Sequence, residues 1–438
     1  MAAVCLFHRE LRVPDNTMLL EACGNKEIDE VIPVFIYTPE QTTKNKLATR
    51  RFIDAMSSAV MDLDGALSKY GGGLVVMRGS TVPTLAKLHR SQPFRVIYSH
   101  RDFTKFAKDR DADIKKWCDA NSVEFIQLED YTVVPIDGVR TTGGKYFQKF
   151  TPFYETASRQ SVPKPRAFTA KCGSKLLRRP KVLALSIKVD VPAGEPGPAR
   201  PTRDYALKML KRARTLGDYS EKRDMLDYRT TELSVYIRHG VLSVREVYHA
   251  VPIEGIRRQL YWRMFYETQI DNMGDDMYTW QKGWGKSKNR RHFRAWCEGK
   301  TGVPIVDAGM RQLAETGEMH NRVRMVCASY LIKNLHLPWR WGEQWYSSQL
   351  LDCSMPINTG NWIWVAGEKP YGMMKVRVFS PQAQALKYDP EATYIKRWVP
   401  ELRDVPVETI MNDTSKAIVD FDRSREEYIK WVREARYE

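Results

Sequence analysis

Short apolar segments alternate with amphipathic ones over the first 130 residues. The apolar segments have the length and composition of buried parallel strands, and they lie at residues 4–7, 31–37, 74–77, 96–98 and 123–128. The segments between them repeat apolar residues at helical spacing, most clearly at residues 50–70, just before three glycines at 71–73. This alternation predicts an open α/β sheet with right-handed crossovers.

The pattern changes twice further along the chain. From residue 131 to residue 200 the periodicity weakens and prolines become frequent, which indicates a surface connector. A basic run at residues 175–181 is a solvated linker, a nuclear-targeting signal or a phosphate contact. After residue 200 the periodicity is helical to the end. We therefore expect an α/β domain (1–130), an interdomain connector (131–200) and an all-α domain (201–438).

Residues 304–364 carry the strongest local signals of the helical half. Apolar residues at helical spacing, followed by Gly317 as a C-cap, predict one helix, and a second is predicted over residues 320–334. Residues 358–362 are polar and contain a glycine, which predicts a loop between apolar segments. The stretch therefore reads as helix, turn, helix, loop, helix and a final loop.

One face of the second predicted helix combines the side chains of Asn321, Arg324 and Met325. Such a face is either the wall of a ligand pocket or part of a half-buried helix whose polar groups satisfy the neighbouring backbone. Tryptophan is concentrated nearby, since eleven of the twelve tryptophans follow residue 260. The concentration indicates either a large helical core or rings that stack on bases or conduct electrons.

Three hydroxyl side chains precede another predicted helix, at Thr230, Thr231 and Ser234. Hydroxyls beside the free N–H groups of a helix start can hold a phosphate, and they can equally serve as ordinary helix caps. The residues alone leave both interpretations open.

The charge and the amino-acid composition indicate which kind of partner the protein binds. The chain has 438 residues and a formal net charge of +16, which favours a polyanion, with nucleic acid ahead of an acidic membrane surface. Its seven cysteines form no CxxC pair and no metal-binding spacing, which is typical of a reducing compartment. No apolar run is long enough to span a membrane, and the first apolar run, broken by charges at residues 8–10, predicts a strand and not a signal peptide. No GxGxxG follows a predicted strand, so no dinucleotide is assigned to the sheet.

Five motifs in this order resemble the photolyase/cryptochrome family, and most of all its class I cyclobutane pyrimidine dimer photolyases. They are FHRELRVPDN (7–16), TGVPIVDAGMRQL (301–313), MHNRVRM (319–325), NTGNWIW (358–364) and YIKRWVPEL (394–402). The resemblance covers nearly the whole chain. It implies a Rossmann-like α/β domain that can hold an antenna chromophore, a folate or a deazaflavin, followed by an all-α domain that binds one FAD.

The resemblance also implies roles for individual residues. Asn358 would face the flavin N5, Arg324 would pair with Asp352, and the Thr-Ser segment would hold the FAD pyrophosphate. Ser354 stands where the family often has an acid. The implied FAD-binding residues are Tyr219, Thr230, Thr231, Glu232, Leu233, Ser234, Asn321, Arg324, Asp352, Ser354 and Asn358.

Three further sets of residues follow from the resemblance. Asn358, Gln259 and Met325 would act in catalysis, and Gln259 stands where many dimer-repairing relatives have Glu. An electron relay would run through Trp362, Trp339 and Trp284. The implied DNA contacts are Arg223, Gln259, Trp262, Arg322, Met325, Trp364 and Arg377.

The implied activity is light-driven repair of cyclobutane dimers in damaged DNA by electron transfer from excited, reduced FAD. We expect a monomer in the cytoplasm or nucleus. A (6-4) photolyase is less favoured, because Asn321 and Met325 stand where those enzymes place histidines. A blue-light photoreceptor, or a single-strand-preferring cryptochrome, would share the flavin site, although no long tail of the kind used in signalling follows. A generic basic nucleic-acid-binding protein leaves the flavin motifs unexplained.

Overall fold

The computed structural model describes residues 1–178, 180–191, 193–274, 287–367 and 378–434. Contacts between residues divide the chain into two compact units. The first unit comprises Met1–Leu216 and Thr231–Asp275, and the second comprises Gly217–Thr230 and Asp276–Glu438. The domain boundaries that the sequence predicts, at residues 130 and 200, stay predictions.

Five parallel strands form the sheet of the first unit in the order β3-β2-β1-β4-β5. They are β1 (Ala2–Phe7), β2 (Glu30–Tyr37), β3 (Val75–Arg78), β4 (Val96–His100) and β5 (Glu124–Leu128). All five predicted strands and the predicted parallel α/β class are thus confirmed. The central strands are buried on both faces, which explains why their sequences are continuous apolar runs.

The helices of both units are numbered in chain order. They are α1 (Thr17–Gly24), α2 (Arg50–Ser68), α3 (Thr81–Ser91), α4 (Lys105–Ala120), α5 (Phe150–Ala157), α6 (Ala170–Gly173), α7 (Pro180–Leu183), α8 (Arg203–Ala213), α9 (Tyr219–Lys222), α10 (Ser234–Arg238), α11 (Val244–Ala250), α12 (Glu254–Met273), α13 (Arg290–Cys297), α14 (Pro304–Thr316), α15 (Asn321–Lys333), α16 (Trp339–Gln349), α17 (Met355–Ala366), α18 (Pro381–Tyr388), α19 (Thr393–Trp398), α20 (Val407–Asn412) and α21 (Phe421–Glu434). Short 3-10 turns lie at Ile136–Gly138 and Pro400–Leu402. No helix in the described ranges has both the length and the apolar character needed to cross a lipid bilayer.

A buried charge cluster ties distant parts of the first unit together. Asp130 accepts hydrogen bonds from Arg12 at 2.5 Å and from Arg245 at 2.7 Å. Arg245 also donates to Asp15 at 3.0 Å, and Ser243 donates to the same carboxylate at 2.5 Å. Each buried charge thus has an opposite partner, as burial in a low dielectric requires. The cluster holds α11 in the same unit as the sheet.

The predicted connector is partly a packed element. Its residue Leu177 donates a backbone hydrogen bond to Val31 of β2 at 2.8 Å, and Lys175 accepts one from Val31 at 2.7 Å. The side chains of Leu176 and Leu177 are buried. A wholly solvated linker at residues 175–181 is therefore wrong, because Leu177 belongs to the hydrophobic core of the sheet.

The second unit is helical, and two of its helices match their predicted ends. Gly317 caps α14 in the left-handed conformation, with φ of 73°. His320 and Asn334 are the N-cap and C-cap of α15. Gly309 lets these two helices approach closely, since a Cβ there would overlap the side chain of Val323.

The predicted loop at residues 358–362 is wrong, because these residues lie inside α17. Pro356 occupies the first turn of that helix and Gly367 ends it with φ of 74°. Asn361 satisfies its own amide by donating to Ile357 O at 2.7 Å, and Thr359 donates to another helix. Because tertiary partners satisfy these polar side chains, the segment stays helical despite weak local propensity.

Candidate functional site

The side-chain amide of Asn358 is held in one orientation. Its Nδ2 donates to the backbone oxygen of Glu343 at 3.0 Å, to the carboxylate of Glu343 at 3.4 Å and to Ser347 Oγ at 2.9 Å. Since all three partners are acceptors at this end of the amide, the network assigns Nδ2 to it and leaves the carbonyl oxygen as the end that can accept from a ligand. Helices α16 and α17 thus present one acceptor from a residue that is 8% exposed.

Glu343 holds this network together, and the sequence analysis missed it. The carboxylate is only 3% exposed and accepts hydrogen bonds from Thr359 at 3.0 Å and from Ser347 at 3.3 Å. Burial raises the pKa of Glu343, while the charge of Arg340 and the hydrogen-bond donors offset part of the rise. The sequence offered one signal for Glu343, which is an acidic residue one turn after Trp339 in a segment rich in aromatic residues.

Arg324 and Asp352 form the bidentate ion pair that the resemblance implied. Nη1 lies 3.1 Å from one carboxylate oxygen and Nη2 lies 2.9 Å from the other, while Nε donates to Met319 O at 2.9 Å. The guanidinium is therefore fixed as a plane. On the same face of α15, Asn321 Nδ2 lies 3.8 Å from Met325 Sδ, which confirms the predicted shared face.

The remaining cofactor candidates of the second unit lie near helix starts. Tyr219 is the buried first residue of α9, and burial raises the pKa of its phenol. Thr230 is partly buried in the segment that follows α9, and Ser354 is buried at the N-cap position of α17. Arg223, a predicted DNA contact, is the C-cap of α9.

The remaining candidates belong to the first unit and lie at the start of α10. Leu233 is the N-cap of α10 and no side chain caps that helix, so the hydroxyls of Thr231 and Ser234 are not used as its cap. Glu232 adopts a left-handed conformation, with φ of 53°, and pairs with Arg212 at 3.3 Å. The helix-capping interpretation of these hydroxyls is therefore wrong for α10.

Trp262 and Gln259 lie one turn apart on α12 of the first unit. The indole of Trp262 stacks on Phe150 with ring centroids 3.6 Å apart and planes at 6°. Tyr266 packs beside the same indole at 5.9 Å. The side-chain amide of Gln259 donates to Gly255 O at 3.3 Å. Phe150, which the sequence analysis did not select, therefore fixes the plane that Trp262 presents.

The indole of Trp362 is 2% exposed and lies among aromatic rings. Its centroid is 5.0 Å from that of Tyr346 and 6.3 Å from that of Trp296, and Trp296 and Tyr346 are stacked at 5.8 Å. The sequence analysis did not include Trp296 in a relay, because no local pattern pairs residues 296 and 362.

Of the two other predicted relay residues, Trp339 lies in the described part of the chain and Trp284 does not. Trp339 is buried under the guanidinium of Arg340, which lies 4.0 Å from its ring centroid. One turn further along α16, a Cβ on Gly342 would overlap the indole of Trp362, so the helix backbone lies directly against that ring. Trp284 lies outside the described residues.

The predicted DNA contacts of the second unit are partly engaged within the protein. Arg322 donates to Asp224 at 2.6 Å and lies over the ring of Tyr388 at 4.5 Å. Trp364 is 38% exposed, which is unusual for so large an apolar side chain. Arg377 lies outside the described residues.

Comparison with known proteins now decides the family. A family model described as "DNA photolyase" matches residues 3–169, and one described as "FAD binding domain of DNA photolyase" matches residues 256–434. A deoxyribodipyrimidine photo-lyase of Vibrio cholerae is 32% identical over 433 residues, which cover 91% of this chain and 90% of that protein. The chain belongs to the photolyase/cryptochrome family.

Other photolyases are similar to this chain in sequence and in structure. The deoxyribodipyrimidine photo-lyase of Escherichia coli is 28% identical and covers 91% of this chain and 89% of its own. A class III photolyase from Agrobacterium tumefaciens superposes with a TM-score of 0.88 at 26% identity, over 100% of this chain and 98% of that one. An archaeal photolyase from Sulfolobus tokodaii, solved with two FAD molecules, superposes with a TM-score of 0.83 at 30% identity, over 99% and 100%.

A photolyase of this family has FAD as its cofactor, and the described residues suit a flavin. The carbonyl oxygen of Asn358 is the free end of a fixed amide, and a reduced flavin offers a ring N–H to such an acceptor. The bidentate pair of Arg324 and Asp352 supplies a rigid polar edge.

Proposed function

We propose that this chain is a deoxyribodipyrimidine photolyase that repairs cyclobutane pyrimidine dimers in DNA by light-driven electron transfer. The observation that carries the proposal is the fixed amide of Asn358, whose donor end is fully used by Glu343 and Ser347. An amide locked with its carbonyl outward favours a protonated ring nitrogen, and thus a reduced flavin. The names of the relatives support the same activity.

The cofactor, when bound, supplies the excited electron, and the protein binds and orients the reactants. Asn358 Oδ1 would accept the hydrogen bond of a ring N–H and so hold that proton in place. Asp352 keeps the guanidinium of Arg324 planar and fixed in direction. Neither residue gives or takes a proton in this scheme.

The lesion must leave the duplex before it can react, since no side chain reaches it inside the stack. We propose that Trp262, backed by Phe150, offers a preformed stacking surface for the extruded bases. On the second unit, considered by itself, Met325 and the exposed Trp364 are apolar candidates for contact with DNA. Gln259 can exchange hydrogen bonds with a pyrimidine edge, although it is uncharged where many relatives have Glu.

Repair of (6-4) lesions is less well supported. Burial lowers the pKa of His320 to about 4, so this imidazole is neutral at physiological pH. Its Nδ1 accepts from the backbone N–H of Arg322 at 3.2 Å as part of the α15 cap. His320 is therefore used structurally, and Asn321 and Met325 provide no acid or base beside it.

The deciding experiment compares two lesions. Reduced enzyme under blue light is expected to split cyclobutane thymine dimers in single-stranded and duplex DNA and to leave (6-4) products unchanged. Restored pyrimidine absorbance and chromatography of the digested DNA measure both outcomes, and the same samples kept dark serve as the control. Repair of (6-4) products would contradict the assignment. Binding without turnover would favour the photoreceptor alternative, and repair confined to single strands would favour the cryptochrome branch.

We propose further that the protein is a monomer of a reducing compartment, cytoplasmic or nuclear. The seven cysteines all lie in the described part of the chain and are free thiols, which supports the compartment. A light-scattering mass of twice the chain mass of 50.8 kDa would contradict the monomer. An antenna chromophore, a folate or a deazaflavin, stays a prediction for this chain.

A further inference from the structure

The exposed surface at the start of α13 is strongly cationic. Lys288, Arg290, Arg291 and Arg294 are all exposed within seven positions. In the part of the chain that the structure describes, Lys288, Arg291 and Arg294 have no carboxylate partner within ion-pair distance, whereas the neighbouring Glu298 is already paired with Lys300 at 2.9 Å. Four such charges with so little local compensation favour an anionic ligand. We call Lys288, Arg290, Arg291 and Arg294 the α13 cationic surface.

An oxidisable ring lies at this surface. The guanidinium of Arg290 is 3.8 Å from the ring centroid of Trp341, which is only partly buried on α16. An anion held by the arginines of this surface would therefore lie beside an indole. This juxtaposition distinguishes the surface from an ordinary solvated charge cluster.

Aromatic rings connect Trp341 with the interior. Trp341 contacts Phe293 at 5.2 Å, Phe293 stacks on Trp296 at 6.1 Å, and Trp296 contacts Trp362 at 6.3 Å. Trp296 is fully buried, and its Nε1 donates to Cys327 O at 3.1 Å, which fixes its orientation. The sequence of rings is therefore continuous from the α13 cationic surface to the tryptophan at the centre of the aromatic cluster.

Tyr346 also contacts Trp362, but it is poorly suited to carry charge. Its buried hydroxyl donates to Arg324 O at 3.3 Å and to Met319 Sδ at 3.6 Å, and in the described part of the chain it bonds to no carboxylate or imidazole that could accept a proton released on oxidation. Burial raises the pKa of this phenol, followed by the nearby Cys327. An indole, by contrast, can lose an electron and keep its proton, so Trp296 is better suited than Tyr346 to the step from Trp362 outward.

We propose that the α13 cationic surface binds anionic one-electron donors and passes their electrons through Trp341 and Trp296 to Trp362. The proposal rests on the FAD-dependent function above. In this route Trp362 would give one electron to the light-excited, oxidised cofactor. Trp362 then takes one from Trp296, and Trp296 takes one from Trp341 across Phe293, which is not itself oxidised. Trp341 finally takes one electron from the donor, which leaves oxidised by one electron, and no covalent bond forms or breaks.

The first test measures binding in the dark, without any turnover. Ferrocyanide, a multiply charged anionic one-electron donor, is titrated calorimetrically into the full-length holoprotein and into an Arg291→Glu/Arg294→Glu variant. The variant is expected to bind ferrocyanide about tenfold more weakly, because both charges are reversed. Lys300→Glu, which changes a nearby cation already paired with Glu298, is the matched control. Equal binding by the variant and the wild type would overturn the docking site.

The second test follows photoreduction of oxidised FAD with ferrocyanide and with the neutral donor ferrocenemethanol. A Trp339→Phe background removes the other predicted relay. In that background, Trp341→Phe is expected to slow photoreduction about tenfold or more with both donors, whereas Arg291→Glu/Arg294→Glu slows it only with ferrocyanide. Unchanged photoreduction in Trp339→Phe/Trp341→Phe would overturn the route. Complete loss of photoreduction in Trp339→Phe alone would also overturn the route.

Two controls distinguish the proposed electron route from the proposed repair function and from DNA binding at the same surface. Dimer repair by enzyme that was chemically reduced beforehand should be the same in all these variants, since it needs no external electron, so loss of repair there would concern the proposed function instead. If the Arg291→Glu/Arg294→Glu variant loses affinity for DNA but keeps ferrocyanide binding, the surface serves nucleic acid and the proposal fails. Circular dichroism and FAD content verify folding.

Discussion

At the scale of single residues, the amide of Asn358 on α17 is held in place by Glu343 and Ser347 of α16. Asn358 and Arg324 were predicted because they lie in recognisable motifs, and Asp352 was predicted as the partner of Arg324. Glu343 and Ser347, which fix Asn358, were not predicted, since their role depends on two helices meeting. Ion pairs and stacked rings between distant residues, such as Phe150 under Trp262, are invisible to local periodicity for the same reason.

The raised pKa of Glu343 gives a prediction with a defined sign. The folded state binds this proton more tightly than the unfolded chain, so stability falls as pH rises above about 4.3, the ordinary value of the carboxyl. Glu343→Gln cannot lose the proton, and we expect its stability relative to wild type to increase between pH 4 and pH 7. Urea unfolding across this range measures the difference. The exposed change Glu426→Gln is the control, and a difference that does not vary with pH would contradict the expectation.

At the scale of secondary-structure elements, the sheet and the long helices were predictable and α17 was not. Continuous apolar runs define buried strands almost uniquely, and Gly317 closes α14 where expected. A loop was wrongly predicted at residues 358–362 because glycine, threonine and asparagine are weak helix formers. Their helical state depends on burial against α16, a contact that follows only from the tertiary fold.

Two glycine-to-alanine changes should have opposite effects on stability. In α16, Gly342→Ala places a methyl group into the indole of Trp362, and we expect a loss of about 1–3 kcal/mol in the free energy of unfolding. In the exposed face of α2, Gly65→Ala meets nothing within 4 Å and should gain about 0.5–1 kcal/mol from the lower flexibility of the unfolded chain. Denaturant titration measures both. Equal effects of the two changes would show that close packing on Trp362 is not what requires Gly342.

At the scale of the whole molecule, the net charge of +16 predicts DNA binding that weakens steeply with salt, since each phosphate contact releases a counterion. Arg322→Ala should lower the affinity by about 1–3 kcal/mol. Because Asp224 holds this guanidinium at 2.6 Å, Asp224→Asn should instead raise the affinity. Fluorescence anisotropy at several salt concentrations tests all three expectations. Affinity that does not depend on salt would contradict the electrostatic account.

The buried cluster of Arg12, Asp15, Asp130 and Arg245 has a consequence for biosynthesis. Arg245 is separated from Asp15 by 230 positions in the chain. At the usual rate of translation, the ribosome needs on the order of ten to fifty seconds to make that length. During that interval the carboxylate of Asp15 lacks the guanidinium of Arg245, whereas Asp130, once it is made, already has Arg12. The charge cluster can therefore be completed only after α11 has been synthesised, so we expect the final packing of the first unit to be a late event in biosynthesis.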